Sequence, residues 1–284
     1  MASPNTPFGP SRHIETAYEL AIRKLISKSF PARRPGQSLE DWLSQLLALS
    51  NGASFAPVAH ELAKQMVRAS NASNERWWRT VTARSHGRMM HRLIREELKG
   101  PIGVRYDAII RENARLIRSI PSEVAQRLSA NIAKAQLAGM RHEQIAKLLR
   151  DDFPRLTESR VKLIARTEVA KAATALTEAR AQHIGVNWFR WMTSRDARVR
   201  HSHRNMDGVL VSWDDPPSPE ELVGEKSSLG RYLPGGCPND RCSPFPLMSL
   251  DDVSWPRRVY TQGRLVQMTR AQFAAQFASV KPAA

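Results

Sequence analysis

Cysteine is nearly absent: the 284 residues hold two, Cys237 and Cys242. A disulfide-stapled scaffold is thereby excluded, and the pair is left as free thiols, as metal ligands or as one disulfide, the last disfavoured in a reducing compartment. Long apolar runs are missing too. No window reaches the roughly 20 apolar residues that span a bilayer, and the opening MASPNTPFGPSRHIE lacks the apolar core of a secretory signal. The expectation is a chain made in the cytoplasm without a membrane-spanning segment. Catalytic signatures are lacking as well: there is no nucleophile elbow, no Gly-rich phosphate loop and no carboxylate pair placed by a recognisable motif. These absences point away from an enzyme.

Acidic residues are scarce. Asp and Glu number 27 against 43 Lys and Arg, a formal net charge of +16 at neutral pH. A chain so far from neutrality repels itself, and the usual compensation is a polyanion: nucleic acid, an anionic membrane surface or an acidic protein. Nucleic acid leads, with plain solvation of the arginines as the bland alternative.

The length fits about two domains. Residues 1–10, with three prolines among small polar residues, read as a flexible arm. Apolar residues then recur at helical spacing, and caps and breakers predict helices at 11–29, 38–49, 55–69, 74–99, 104–119, 122–138, 143–150 and 157–184. At Gly185 the character changes. VNWFRWMTS (186–194) and GVLVSW (208–213) read as strands, RRVYTQGRLVQM (257–268) as a hairpin turning at Gln262-Gly263, and 269–279 as a short helix. Residues 214–256 carry eight prolines and read as mostly irregular. The expected fold class is α+β: a mainly helical basic region over 11–185, then a small α+β module over 186–284 with a long Pro-rich loop.

On the helix predicted at 74–99, Arg84, Arg88, Arg92, Arg95 and Lys99 stand four, four, three and four residues apart and share one face. Arg111, Arg115 and Arg118 repeat the pattern on the next helix, with Ile110, Ala114 and Ile117 on another face. Such stripes can follow a line of phosphates, because each guanidinium forks onto phosphate oxygens. An acidic protein surface or solvent would also satisfy them.

The richest stretch is RDARVRHSHRNMDG (195–208), followed by PGGCPNDRCSPFP (234–246). His203, Cys237 and Cys242 are three ligands suited to a structural zinc, with Asp196, His201 or Asp240 able to supply a fourth. If the chain there is extended, His201 and His203 point to opposite sides, so only one faces a shared site. Buried, unliganded thiols with His203 satisfying a loop carbonyl are the structural alternative. A metal-dependent nuclease with His203 as base is a third reading, but none of the eight histidines follows His203 to supply the second such a centre requires.

The order ARTE (165–168), WMTSRDARVRHSHRNMDG (191–208) and a proline-rich loop ending in a cysteine pair resembles the phage head morphogenesis family typified by the F protein of phage Mu. Arg166, Thr167, Glu168, Asp196, Arg200, His203 and Asp207-Gly208 fall on that family's pattern. The family's late Cys-x-Cys is here widened to Cys-x4-Cys, with Arg241 kept before the second cysteine. The likeness covers 157–248. It implies a non-enzymatic minor capsid protein, portal-associated inside the phage head, whose partners are portal or major capsid protein and double-stranded DNA contacted without base readout. It would be made in the host cytoplasm and reside in the virion. The rivals are a nuclease or toxin-like enzyme module and a free cytoplasmic nucleic-acid-binding protein.

Overall fold

The computed structural model describes residues 8–34, 36–85 and 101–277, and the architecture is α+β. Helices α1 (Arg12–Ser29), α2 (Leu39–Leu49), α3 (Phe55–Ser85), α4 (Pro101–Leu137) and α5 (His142–His183) come first. Strand β1 (Trp188–Met192), the short helix α6 (His201–Met206) and strands β2 (Leu210–Ser212), β3 (Ser243–Pro246), β4 (Arg257–Thr261) and β5 (Arg264–Met268) follow, then helix α7 (Arg270–Gln276). The chain forms two compact units. One comprises Arg12–Val67 and Ala108–Glu168, the other Met1–Ser11, Arg68–Asp107 and Val169–Ala284.

The first unit is helical among its described residues. In α1 the buried Ile14, Tyr18, Ile22, Leu25 and Ile26 recur at three- and four-residue spacing, which makes one apolar stripe. Ser38 caps α2 by accepting from the Asp41 amide at 3.0 Å. Behind that cap Trp42 donates its indole N–H to the Pro31 carbonyl at 2.8 Å and meets the Phe153 ring edge-on at 5.2 Å.

The second unit contains a five-stranded sheet in the order β3-β1-β2-β4-β5, antiparallel except where β2 runs parallel to β4 at Leu210↔Val259. Successive side chains of a strand face opposite ways, and here each face has its own core. Phe189, Trp191, Val211 and Tyr260 join Trp77, Trp78 and Val81 of α3 and Ala173 and Ala181 of α5. Trp188, Leu210, Val259 and Met268 face the other way, onto Val253 and Phe273, with Trp188 and Phe273 ring centroids 4.9 Å apart.

Three pairs of helices expected from the sequence are single helices. Residues 70–73, left between the helices expected at 55–69 and 74–99, lie within α3, where Asn71 and Asn74 both accept hydrogen bonds from Arg180, which is 2% exposed. Breaks expected at 120–121 and 151–156 are absent because α4 continues through Pro121 and α5 through Pro154. A proline inside a helix costs about 3 kcal/mol. Around Pro121 the fully buried Ile117 and Ile120 and the nearly buried Val124 offset that cost.

The change of character at Gly185 marks the end of α5, which closes with Gly185 at φ 77°. The compact unit holding the sheet takes in Arg68–Asp107 as well as Val169–Ala284, and α3 and α5 residues within it cover one face of the sheet. The strands expected at 186–194 and 208–213 are present in shortened form, and the hairpin expected at 257–268 is present over its full range. The loop at 214–256, read as irregular, contributes β3, whose sequence SPFP pairs with β1. Proline is tolerated there because β3 is an edge strand and need not donate outward.

Candidate functional site

The connection between β1 and β2 folds around Asp207. Its Oδ1 accepts the Thr193 amide at 2.9 Å and the Thr193 hydroxyl at 3.1 Å, and Gly208 turns at φ 79° to send its amide to the Trp191 carbonyl. Asp-Gly at this point closes the chain back onto β1. Within the connection α6 replaces the extended segment expected there. Two residues along a helix turn the side chain by about 200°, so His201 still faces away from His203: their side chains are 73% and 3% exposed.

His203 is the hub. Its Nδ1 lies 3.3 Å from Cys242 Sγ and 3.3 Å from Asp240 Oδ1, and its Nε2 lies 2.9 Å from the Tyr232 hydroxyl, which donates to Glu220 Oε1 at 2.7 Å. Cys237 Sγ stands 3.9 Å from Nε2, on the other side of the ring from Cys242. The structure therefore brings His203, Cys237 and Cys242 together, but with the imidazole between the sulfurs. Asp240 shapes the turn: Oδ1 accepts the Cys242 amide at 2.8 Å and Oδ2 the Gly235 amide at 2.7 Å.

Burial opposes protonation of His203, and hydrogen bonds to Asp240, Cys237 and Cys242 outweigh it, so its pKa is pushed up to about 12. Burial likewise works against the Asp240 carboxylate, yet the hydrogen bond from His203 leaves it below the usual carboxylate range. Burial pushes the Cys242 thiol up to about 11, His203 pulling the other way.

The other motif residues between Asp196 and Asp207 are ties as well. Arg200 donates to Cys237 Sγ and to the Pro238 carbonyl, both at 2.8 Å. Asp196 receives both Arg241 terminal nitrogens, at 2.5 and 2.8 Å, and the Arg198 amide at 2.9 Å. That fork holds the Asp196 carboxyl down at about 2. Arg166, Thr167 and Glu168 belong to the other compact unit. There Arg166 pairs with Glu15 at 3.2 Å, and Glu168 accepts from Asn113 at 3.4 Å.

Sequence reading missed Tyr232, Glu220 and Thr174, since lone polar residues at irregular separations carry no periodic or motif signal. Thr174 donates to the Pro234 carbonyl at 2.5 Å, tying the cysteine turn to α5. Gly235 follows at φ 80°, where a Cβ would lie 3.1 Å from Thr174 Oγ1, 3.2 Å from the Ala170 carbonyl and 3.3 Å from the Cys242 carbonyl. Left-handed strain of about 1–2 kcal/mol adds to the displacement of two backbone oxygens. Gly235→Ala is therefore expected to destabilise the protein by about 2–3 kcal/mol, read as a lower urea midpoint at unchanged slope. An unaltered midpoint would show that the turn is not held this tightly.

Of the basic residues singled out, Arg111, Arg115 and Arg118 are exposed on α4 while Ile110, Ala114 and Ile117 are buried. Arg115 forks onto Glu112 at 2.7 and 2.8 Å, and Arg118 donates to the Ser50 carbonyl at 3.3 Å. Arg88, Arg92, Arg95 and Lys99 lie outside the described residues, as does the side chain of Arg84.

Residues 126–243 match a family model described as Phage Mu protein F like protein. The matched stretch runs from α4 to the first residue of β3 and includes Arg166 through Glu168, Asp196, Arg200, His203, Asp207, Gly208 and both cysteines. An uncharacterized protein of Haemophilus influenzae (strain ATCC 51907 / DSM 11121 / KW20 / Rd) is 31% identical over 118 residues, 42% of this chain and 26% of that protein. The chain thus spans about a quarter of that relative's length. No solved structure matches.

Proposed function

Because residues 126–243 match the Phage Mu protein F like family model, we propose that the chain is a structural minor head protein of a tailed phage. In this reading it is associated with the portal and acts in head morphogenesis and in packaging or delivery of DNA. Portal or major capsid protein and double-stranded DNA are its partners, and the virion, inside the head or at the portal vertex, is its place after synthesis in the host cytoplasm.

The observation that carries the reading is the use made of the motif residues within the matched segment. Asp196, Arg200, His203 and Asp207 all direct their polar groups to other parts of the chain. The motif is thus read as the means of holding a module in shape, which is what a head component requires. A nuclease base has to reach a proton on water or substrate, whereas the His203 side chain is 3% exposed with both nitrogens engaged. The formal charge of +16 supports contact with packaged DNA.

Purified phage particles analysed by mass spectrometry test the reading. The chain is expected in full heads at few copies and, after cross-linking, joined to portal peptides. Particles that assemble, package and infect without the chain would remove it from head morphogenesis.

A further inference from the structure

Three buried groups meet on the Nδ1 side of His203: the ring nitrogen itself, Asp240 Oδ1 and Cys242 Sγ, all within 4.8 Å of one another. The other side of the ring has its partner. Tyr232 donates its proton to Glu220, so its oxygen is left to accept from Nε2, and the ring proton of neutral His203 belongs on Nε2. Nδ1 then presents a lone pair to a carboxylate and a sulfur. The Cys242 thiol proton can serve one of these contacts, and a cation between the three groups serves all of them.

That cation is a proton or a metal ion, and distance separates the two. An imidazolium donating to a buried carboxylate gives a contact of about 2.7–2.9 Å. Here Nδ1 is 3.3 Å from Asp240 Oδ1 and 3.3 Å from Cys242 Sγ. Ligands about 2.0–2.3 Å from a tetrahedral zinc ion stand about 3.3–3.6 Å apart. The observed spacings suit the metal better than the proton.

We propose that His203 Nδ1, Asp240 Oδ1 and Cys242 Sγ form a zinc site with a single thiolate, and that Cys237 lies outside it. Cys237 Sγ faces Nε2 at 3.9 Å and takes a hydrogen bond from Arg200 at 2.8 Å, so an arginine already occupies its sulfur. One imidazole nitrogen serves one metal, and the ligand set is read from the nitrogen that faces Asp240 and Cys242. Around it stand partners of the kind metal sites use: the Tyr232–Glu220 chain fixes the ring, and the amides of Cys242 and Gly235 hold the carboxylate. With three protein ligands the fourth position falls to water. Bound there, zinc would clamp α6 to the turn at 234–242.

The full chain, purified without chelator, is the material for the test. Metal analysis is expected to give about one zinc per chain. After replacement by Co²⁺, the sulfur-to-metal charge-transfer band is expected at the intensity of one thiolate. Cys237→Ser should retain the band, Cys242→Ser should lose it, and Tyr232→Phe should weaken zinc binding about 10–100-fold. A wild-type band of two-thiolate intensity, or its loss in Cys237→Ser, would transfer the site to the cysteine pair. Wild-type protein that takes up no metal from a stoichiometric zinc solution would leave a proton as the cation. Because the wild-type spectrum counts thiolates by itself, the outcome does not depend on any variant folding.

Discussion

Trp191→Ala is expected to destabilise the sheet-containing unit by about 3–5 kcal/mol. Trp191 is fully buried on β1, and its ring lies 6.0 Å from His203 and 6.4 Å from Tyr232, centroid to centroid. Removing it empties the space between the sheet and the hub, and the neighbours are fixed by their own hydrogen bonds and cannot collapse inward. At about 2–4 °C per kcal/mol for a domain of this size, the melting temperature should fall by about 10 °C. Trp191→Phe separates volume from polarity. The indole nitrogen is buried with no hydrogen-bond partner among the described residues, so phenylalanine leaves a smaller void and also removes an unpaired donor. Its expected loss is below about 2 kcal/mol. Near-UV circular dichroism during thermal melting checks both variants, and equal effects would mean that the indole packs against less than the structure indicates.

The same region shows which features the sequence revealed. Asp207-Gly208 and Gln262-Gly263 were readable as turns because residues with positive φ were needed and glycine was present: Gly208, Gln262 and Gly263 sit at φ 79°, 51° and 77°. The strands at 186–194 and 208–213 announced themselves through aromatic and branched residues, which the two separate cores bury. Local rules misled where tertiary packing overruled them. Residues 70–73 looked like a break and lie inside α3, where Asn71 serves a buried arginine; Pro121 and Pro154 looked like stops and are accommodated; SPFP looked irregular and forms an edge strand.

For the candidate site, the residue types were legible and their mutual orientation was not. Spacing could group His203 with Cys237 and Cys242, but which ring nitrogen meets which sulfur depends on the turn of α6 and on the Asp240 carboxylate closing the loop. Tyr232 and Glu220, which set the ring, are separated from His203 by 29 and 17 positions. Nothing local marks either one.

Binding of the chain to duplex DNA is expected to be indifferent to sequence and steeply dependent on salt. The residues that carry this expectation are Arg84, Arg88, Arg92, Arg95 and Lys99, whose spacing would put them on one face of the helix expected from the sequence at 74–99. Each phosphate neutralised contributes about 0.9 to the slope of log affinity against log salt, so five contacts give about 4.5. Between 50 and 200 mM salt the affinity should then fall about 500-fold. Replacing three of the five by alanine should flatten the slope by about two to three units. Arg115→Ala is the internal comparison: its guanidinium already forks onto Glu112, so its loss should change the slope by well under one unit. Fluorescence anisotropy with two duplexes of unrelated sequence, titrated across that salt range, reads both effects. A slope that survives the triple substitution would assign the stripe to an acidic protein surface, and a strong difference between the two duplexes would require base contacts that no motif in the chain provides.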